Sequence, residues 1–313
     1  MIGTVTLNPC VDRTCHLGGF SYGGMNRIID DRRDYSGKGI NVSLALLQNG
    51  SAVRTGGFLF QEGGAAFQEG LLRQGISYKS IKVPGRLREN IKLWNSEDGV
   101  TTEVNQSGAF VSMEKWKEFK DFFSEFLEGL SLVVLTGSVP KGIPHDAYRQ
   151  LIEIAYVHHV PVILDAEGDL LSEGLQGRPL AIKPNAFEFA KTFGVPEHAP
   201  LGVLAGKARQ LIGAGMVSIV CITLGSEGAM IIDKNGGWRT IPIPLEVKAT
   251  QGAGDSVVAG MCMAWEAHLA TSDMLRYGVA MADGTNTREG TLMCRKEDFQ
   301  RFLPLVRVEA LSL

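Results

Sequence analysis

Three features are scarce in this sequence of 313 residues, and each scarcity excludes a class of protein. Charge of one sign is not in excess, because 31 Lys and Arg oppose 34 Asp and Glu, and a strongly basic nucleic-acid-binding protein is excluded as a first interpretation. No apolar run reaches the ~20 residues of a membrane-spanning helix. The first seven residues lack the basic and apolar stretches of a signal peptide. We therefore expect a cytoplasmic protein with neither a membrane nor a nucleic acid as partner.

Cysteine is also scarce, with five residues and no CxxC spacing. An odd number without paired spacing argues against a disulfide framework or a structural zinc site, so reduced thiols are expected. Cys221 and Cys262 lie in apolar runs and are predicted to be buried. Cys10 and Cys15 are expected to be more exposed.

Glycine is plentiful, with 38 residues, and much of it falls at the ends of apolar runs. Four nearly continuous apolar runs predict buried strands, at 132–135, 160–164, 180–182 and 218–224. Apolar residues at helical spacing predict helices over 145–158 and 201–214. Apolar strands linked by helices are typical of parallel sheets. The predicted fold class is therefore α/β, with a doubly wound, mostly parallel sheet flanked by helices.

Ligands of doubly wound sheets bind outside the carboxyl ends of the strands. The predicted strands are closed by polar side chains, namely Asp165, Lys183, Asn185 and Thr223. We expect these side chains to line one crevice. For Asp165 an alternative is that it caps a neighbouring element.

The first third of the chain has a different pattern, with apolar and polar residues alternating over 26–34, 90–95 and 101–104. Alternation predicts half-exposed antiparallel strands. We expect residues 1–313 to form one domain, with a small β lid from about 9–35 and 88–108 over the crevice. The remaining apolar face of that lid is expected to form a homodimer contact.

A glycine-rich segment at 250–256 reads TQGAGDS and precedes an apolar helix predicted to reach about residue 270. Gly252, Ala253 and Gly254 allow a tight turn whose free N–H groups form an anion site at the helix N-terminus. Asp255 follows directly, where a carboxylate can take a proton from an attacking hydroxyl. The alternative is that Asp255 only caps the helix.

A second glycine cluster at 37–42 reads GKGINV. Gly37 and Gly39 permit close approach of a polyol to the backbone, and Asn41 can both donate to and accept from sugar hydroxyls. Lys38 supplies positive charge for a phosphate. The alternative is an ordinary glycine turn at a helix start.

Together these segments resemble the signatures of the ribokinase-like (PfkB) carbohydrate kinases, and the resemblance spans nearly the whole chain. The matching motifs, in family order, are TLNP at 6–9 with Asp12, 37–42, TGSVP at 136–140, KPN at 183–185 with Glu188, TLGSEGA at 223–229, and the Gly252 loop. The segments at 6–9, 37–42 and 85–88 resemble the branch that phosphorylates sugar phosphates, including tagatose-6-phosphate kinase and 1-phosphofructokinase.

For the acceptor, the resemblance implies a ketohexose phosphate such as tagatose-6-phosphate or fructose-1-phosphate, and fructose-6-phosphate stays open as an alternative. It implies that Asp12 and Asn41 hold sugar hydroxyls and that Lys38 and Arg88 contact the phosphate already on the substrate. Gly37 and Ser138 are further implied substrate-binding residues.

For the donor, the resemblance implies ATP with Mg²⁺. Asp255 is implied as the general base, with Gly252, Ala253 and Gly254 as the anion hole. Asn185 and Glu188 are implied to organise Mg²⁺ through water. The residues implied to contact the nucleotide are Lys183, Asn185, Thr223, Gly225, Gly228 and Asn286.

Two residues near the anion hole depart from the family pattern. Ala249 stands where the family often has a polar residue, and Gln251 where a small apolar one is usual. We expect Gln251 to alter nucleotide fit or rate. Two other hypotheses stay open: a kinase for an unphosphorylated sugar or nucleoside, and a non-catalytic sugar-phosphate sensor.

Overall fold

The computed structural model describes residues 1–311, which form two β-sheets and ten α-helices. The strands are β1 (Ile2–Thr6), β2 (Cys10–Leu17), β3 (Ile28–Ser36), β4 (Val53–Glu62), β5 (Tyr78–Arg86), β6 (Arg88–Asn95), β7 (Thr101–Asn105), β8 (Leu132–Thr136), β9 (Val162–Asp165), β10 (Ala181–Ile182), β11 (Ile219–Thr223), β12 (Ala229–Asp233), β13 (Gly236–Ile241) and β14 (Arg307–Ala310). The helices are α1 (Lys38–Gln48), α2 (Gly64–Arg73), α3 (Met113–Phe126), α4 (Ala147–Val157), α5 (Gly168–Gln176), α6 (Ala186–Phe193), α7 (Leu201–Gly213), α8 (Ala253–Glu266), α9 (Thr271–Asn286) and α10 (Lys296–Phe302).

The larger sheet has ten strands in the order β14-β13-β12-β11-β10-β9-β8-β1-β4-β5. The run from β11 to β5 is parallel throughout, and β12, β13 and β14 extend it as an antiparallel edge. The expected α/β class with a mostly parallel sheet is confirmed. Parallel strands bury both faces under helices, which explains why β1, β8 and β9 are buried at every position.

Helix α8 begins directly after Gly252 and ends at Glu266, four residues earlier than predicted. The chain turns at His268, whose φ of 54° is left-handed and breaks the helical hydrogen bonding before α9 starts at Thr271. Most of α8 is buried, including Val257, Val258 and Met261. Each fully buried side chain of this kind contributes about 1.5–3 kcal/mol, so packing holds the N-terminus of α8 in place.

The second sheet has four strands in the order β3-β2-β6-β7 and lies in the part of the chain predicted to form the lid. Its outer pairs are antiparallel, but the central pair, β2 with β6, is parallel, so the all-antiparallel expectation is wrong at this point. The reason is the connection to the larger sheet. Strand β2 follows β1, and β6 follows β5. Because β1 and β5 run parallel in the larger sheet, the chain enters β2 and β6 in the same direction.

Cys10 and Cys15 are buried, with 2% and 1% exposure, so the expectation that they are more exposed is wrong. Both lie on β2, an inner strand of the smaller sheet that is flanked by β3 and β6. Burial raises the pKa of the Cys10 thiol to about 12, so it stays protonated at neutral pH. Within residues 1–311, no helix combines the length and apolarity that crossing a membrane requires.

Candidate active site

The N-terminus of α8 is built around Gly252, whose φ of 79° is left-handed. A residue with a side chain would be strained in that conformation, which favours glycine. The turn delivers Ala253, Gly254 and Asp255 into the first helical turn, where backbone N–H groups lack partners within the helix. The turn therefore has the backbone geometry of a helix N-terminus, with an acidic side chain at its rim, and Ala253 N donates to the Thr250 carbonyl at 3.3 Å.

Asp255 is 6% exposed, and its carboxylate is fixed by a side chain from another element. Asn41 on α1 donates from Nδ2 to Asp255 Oδ2 at 2.8 Å, and Ser36 Oγ donates to Asn41 Oδ1 at 3.3 Å. No side-chain capping bond is made at this helix start. Burial raises the pKa of Asp255 to about 6, although Lys38 opposes the shift. The carboxylate is thus ionised at neutral pH and basic enough to accept a proton.

Asp165, at the end of β9, holds two lysines together. Its Oδ1 lies 3.2 Å from Lys183 Nζ and its Oδ2 lies 3.7 Å from Lys38 Nζ, while Thr136 Oγ1 donates to Oδ2 at 3.1 Å. Burial would raise the pKa of Asp165, but Lys183 and Lys38 outweigh it and the pKa lies below its usual value. Asp165 in turn raises the pKa of Lys38. The sequence placed Asp165 at the end of a strand, as observed. Its pairing with two lysines was not predicted.

Lys183 lies across from the N-terminus of α8. A Cβ added to Gly254 would lie 3.4 Å from Lys183 Nζ, so the ammonium group faces the glycine loop. The Lys183 side chain is 5% exposed, whereas that of Lys38 is 43% exposed. An anion between Lys183 and the α8 amides would meet positive potential from both sides.

Asn185 and Glu188 form a capping box at the start of α6. Glu188 N donates to Asn185 Oδ1 and Asn185 N donates to Glu188 Oε2, each at 2.8 Å. The box explains their spacing without a metal, and within residues 1–311 it leaves Glu188 Oε1 without a hydrogen bond or ion pair. In the part of the chain that is described, no three His, Cys, Asp or Glu side chains converge to hold a metal ion. The donor set suits Mg²⁺ that keeps waters and ligand phosphates in its shell.

A cleft of about 480 Å³ opens beside this centre. It is lined by Ala253 and Gly254 and by five residues predicted to contact a nucleotide, namely Asn185, Thr223, Gly225, Gly228 and Asn286. A larger groove of about 740 Å³ shares Ile241, Pro242, Ile243 and Leu245 with this cleft, and none of the motif residues lines it. We therefore assign the smaller cleft to the site.

The smaller sheet contributes a separate polar cluster. Asp12 is 6% exposed and accepts from Asn90 Nδ2 at 3.0 Å, and Lys92 Nζ lies 3.5 Å from its other oxygen. Sequence reasoning missed Lys92, because a lysine between Ile91 and Leu93 in an alternating strand is expected to face solvent, whereas this side chain is buried. No hydrogen bond or ion pair within residues 1–311 joins this cluster to Asp255.

Arg88 and Ser138 meet through Asn8. Arg88 Nε donates to the Asn8 carbonyl at 3.0 Å, and Asn8 Nδ2 donates to Ser138 Oγ at 3.1 Å. Arg88 Nη1 also donates to the Gln106 carbonyl at 3.2 Å. Gly37 has a φ of 149° and caps α1 next to Thr6. These predicted substrate residues thus border the junction of lid and main sheet.

Comparison with known proteins agrees with this arrangement. A family model for pfkB family carbohydrate kinases matches residues 5–298. The chain is 32% identical to the 1-phosphofructokinase of Bacillus subtilis over 99% of this chain and 100% of that protein. It is 32% identical to the 1-phosphofructokinase of Borreliella burgdorferi over 99% of this chain and 98% of that protein. The protein belongs to the pfkB family of carbohydrate kinases, as the motifs predicted.

Solved structures confirm the fold. Phosphofructokinase-2 from Escherichia coli superimposes with a TM-score of 0.92 at 24% identity, covering 97% of this chain and 98% of that one. Another structure of that enzyme is described as a tetrameric inhibited form. Ribokinase from Thermotoga maritima superimposes with a TM-score of 0.78 at 20% identity, over 97% of this chain and 99% of that one.

Proposed function

We propose that the protein transfers the γ-phosphoryl group of ATP to a ketohexose phosphate, tagatose-6-phosphate or fructose-1-phosphate, giving the bisphosphate and ADP. The observation that carries the proposal is the Asp255 carboxylate, held by Asn41 at 2.8 Å beside the α8 N-terminus that faces Lys183. A base and an anion site meet there. The names of the 30–33% identical relatives make fructose-1-phosphate the acceptor to test first.

In the proposed reaction, Asp255 accepts the proton of a primary hydroxyl on the sugar. The hydroxyl oxygen forms a bond to the γ-phosphorus, and the bond from that phosphorus to the β–γ bridging oxygen breaks. The negative charge left on ADP is stabilised by Lys183, and the backbone amides of Gly252, Ala253 and Gly254, at the start of α8, hold the transferring group. Phosphoryl transfer of this kind depends mainly on positioning and electrostatics.

The nucleotide would lie with its phosphates between α8 and Lys183 and its base in the 480 Å³ cleft. Thr223, Gly225 and Gly228 border that cleft, and a volume in the range of ~300–1,000 Å³ is typical of small-molecule sites. Asn185 and Glu188 Oε1 would organise Mg²⁺ through water. When bound, Mg²⁺ neutralises charge on the β- and γ-phosphates.

The acceptor would lie under the lid. Asp12, Asn41, Gly37 and Ser138 are proposed to contact sugar hydroxyls, and Lys38 with Arg88 the phosphate already present. Arg88 Nε and Nη1 donate to backbone carbonyls and to Asn90, so Nη2 is left to donate to a phosphate oxygen.

The Lys38 charge is shared with Asp165 and placed near Asp255. We infer that Lys38 also draws the acceptor toward the base. An unphosphorylated sugar would leave both cations unused, and a sensor would have no use for a carboxylate whose pKa is raised to about 6. These considerations favour the sugar-phosphate kinase over the two alternatives.

The lid also supports a proposed homodimer. Because strand residues alternate between faces, the face of the lid opposite Asp12 carries Ile91 with its cross-strand partner Val104. Val104, on the edge strand β7, is 54% exposed, and Ile29, on the opposite edge strand β3, is 72% exposed. Exposed apolar side chains on one sheet face are typical of a protein contact, and a second copy of the lid offers the matching surface.

The proposed function is tested by ADP release with Mg-ATP against tagatose-6-phosphate, fructose-1-phosphate, fructose-6-phosphate, fructose and ribose. We expect turnover on a phosphorylated ketohexose and little on the plain sugars. Exchanging Arg88 for Ala, with the exposed Arg86 as a matched control on the same segment, should raise the KM for the phosphorylated acceptor only. Activity confined to fructose or ribose would contradict the proposal.

A further inference from the structure

Asp283 lies in the nucleotide cleft without a role in the proposed transfer. It occupies the last turn of α9 and is 8% exposed. Of the residues that line the cleft in the described part of the chain, Asp283 is the only one with an ionisable side chain. The rest of the wall is apolar, small or neutral. A single acid in such a wall calls for an explanation from the ligand or from the fold.

The fold gives no explanation. The Asp283 carboxylate makes no hydrogen bond or ion pair within residues 1–311, and its backbone carbonyl accepts from Thr287 N at 3.3 Å. The last turn of a helix is also a poor place for negative charge, because the helix dipole is negative there. Burial raises the pKa of Asp283 to about 7. An unpaired acid held out of water destabilises the free protein, so a structural role would be served better by a neutral residue.

The elements packed around the cleft place no ionisable side chain beside Asp283. Helix α8 presents Ala253, Gly254 and Val257 to the cleft, β12 presents Ala229, and the chain before β14 presents Val306. None of these side chains can ionise.

Within residues 1–311, none of the ionisable groups near the end of α9 pairs with Asp283. Arg288 pairs with Asp298 at 2.8 Å, and the Cys294 thiol is kept protonated by burial. Lys248 meets α9 through its backbone N–H, which donates to the Asn286 carbonyl at 2.8 Å. The partner of Asp283 must therefore come from the occupant of the cleft.

A second unpartnered group lies one turn away. Asn286 lines the same cleft three residues after Asp283, on the same helix face, and its Oδ1 is buried without a hydrogen bond. Two unsatisfied acceptors beside Val279 and Ala282 fit a flat heterocycle with hydrogen-bond donors on its edge. A purine base has this chemistry.

Resting on the proposed function, we propose that Asp283 contacts the Watson–Crick edge of the donor's purine base and allows the enzyme to use GTP as well as ATP. An ionised carboxylate accepts from the guanine N1–H and N2–H groups together. The neutral acid donates its O–H to adenine N1 and accepts from the adenine N6–H group. The base preference is then set by the protonation of one side chain, with adenine favoured at lower pH and guanine at higher pH.

The test measures binding of ADP and GDP by calorimetry at pH 6 and pH 8, without acceptor and in two buffers of different ionisation enthalpy. With the pKa of Asp283 near 7, ADP affinity should fall about tenfold between these pH values, and GDP affinity should rise about tenfold. ADP should take up more protons than GDP. The diphosphate titrates alike in both nucleotides, so the difference between them reports on the base.

Asp283→Asn supplies a permanent neutral analogue. It should keep ADP binding, weaken GDP by about tenfold or more, and remove the pH dependence of the ADP/GDP ratio, since a good bidentate contact discriminates bases by ~1–3 kcal/mol. Asp273→Asn, in the first turn of the same helix, is the matched control and should change neither affinity.

A wild-type ADP/GDP ratio that is equal at both pH values overturns the inference and leaves the proposed function standing. This measurement needs no variant. If neither ADP nor GDP binds, the result contradicts the proposed function itself, and the inference with it.

Discussion

Exchanging Asp165 for Asn removes the one negative charge that two lysines share. Lys183, 5% exposed, would keep a buried ammonium group without its carboxylate at 3.2 Å. Leaving one member of a buried pair uncompensated costs about 3–5 kcal/mol. The Asp165 charge also raises the pKa of Asp255, so its removal lowers that pKa below about 6. The variant should therefore be less stable and, where folded, keep activity to lower pH.

Urea unfolding followed by tryptophan fluorescence measures the stability, and the pH profile of kcat/KM measures the shift of the acid limb. Asp169→Asn is the matched control, because the Asp169 side chain is 78% exposed with only a 3.8 Å contact to His145. It should change stability by no more than ~0.5 kcal/mol. An Asp165→Asn protein as stable as the parent, with an unmoved acid limb, would refute the account of this charge cluster.

Three further predictions concern the base, the glycine turn and the lid. Because Asp255 must be ionised to accept a proton, kcat/KM of the wild-type enzyme should fall about tenfold per unit below pH 6, and a profile flat to pH 5 would contradict this. Gly37→Ala should destabilise the protein by about 1–3 kcal/mol in a thermal melt, because φ is 149° and the new Cβ would lie 2.6 Å from Thr6 Cγ2. Gly206→Ala, at a position with open space around it, is the control and should leave the melting temperature unchanged. Val104→Asp should shift the sedimentation coefficient toward that of a monomer, and an unchanged coefficient would exclude the lid face as the contact.

The larger sheet could be predicted because its strands are continuous apolar runs. Leu132 to Leu135 and Val162 to Leu164 have no alternation, and burial on both faces is the usual reason. The antiparallel edge formed by β12, β13 and β14 was not foreseen. Its pairing depends on contacts across the sequence, such as Trp238 with Ala310, that no local pattern records.

The site shows the same division. The glycine loop and Asp255 could be located from residue types, since tight turns and helix starts have local signatures. The contacts of Asp165 with Lys38 and Lys183 could not be predicted, because the three residues lie far apart in the sequence. Asp283 had no signal at all, because an acid near a helix end is ordinarily solvated. Only the packing of α9 against the cleft shows that it is not.

The most direct test of the central claim is the Asp255→Asn variant, measured for ADP release with Mg-ATP and fructose-1-phosphate or tagatose-6-phosphate and, separately, for nucleotide binding. We predict that turnover falls by about 10²–10⁴ while ADP binding stays within a few-fold of wild type, since the base acts only in the transfer step. Turnover at the wild-type rate would contradict the assignment of Asp255 as the base, and with it the proposed mechanism.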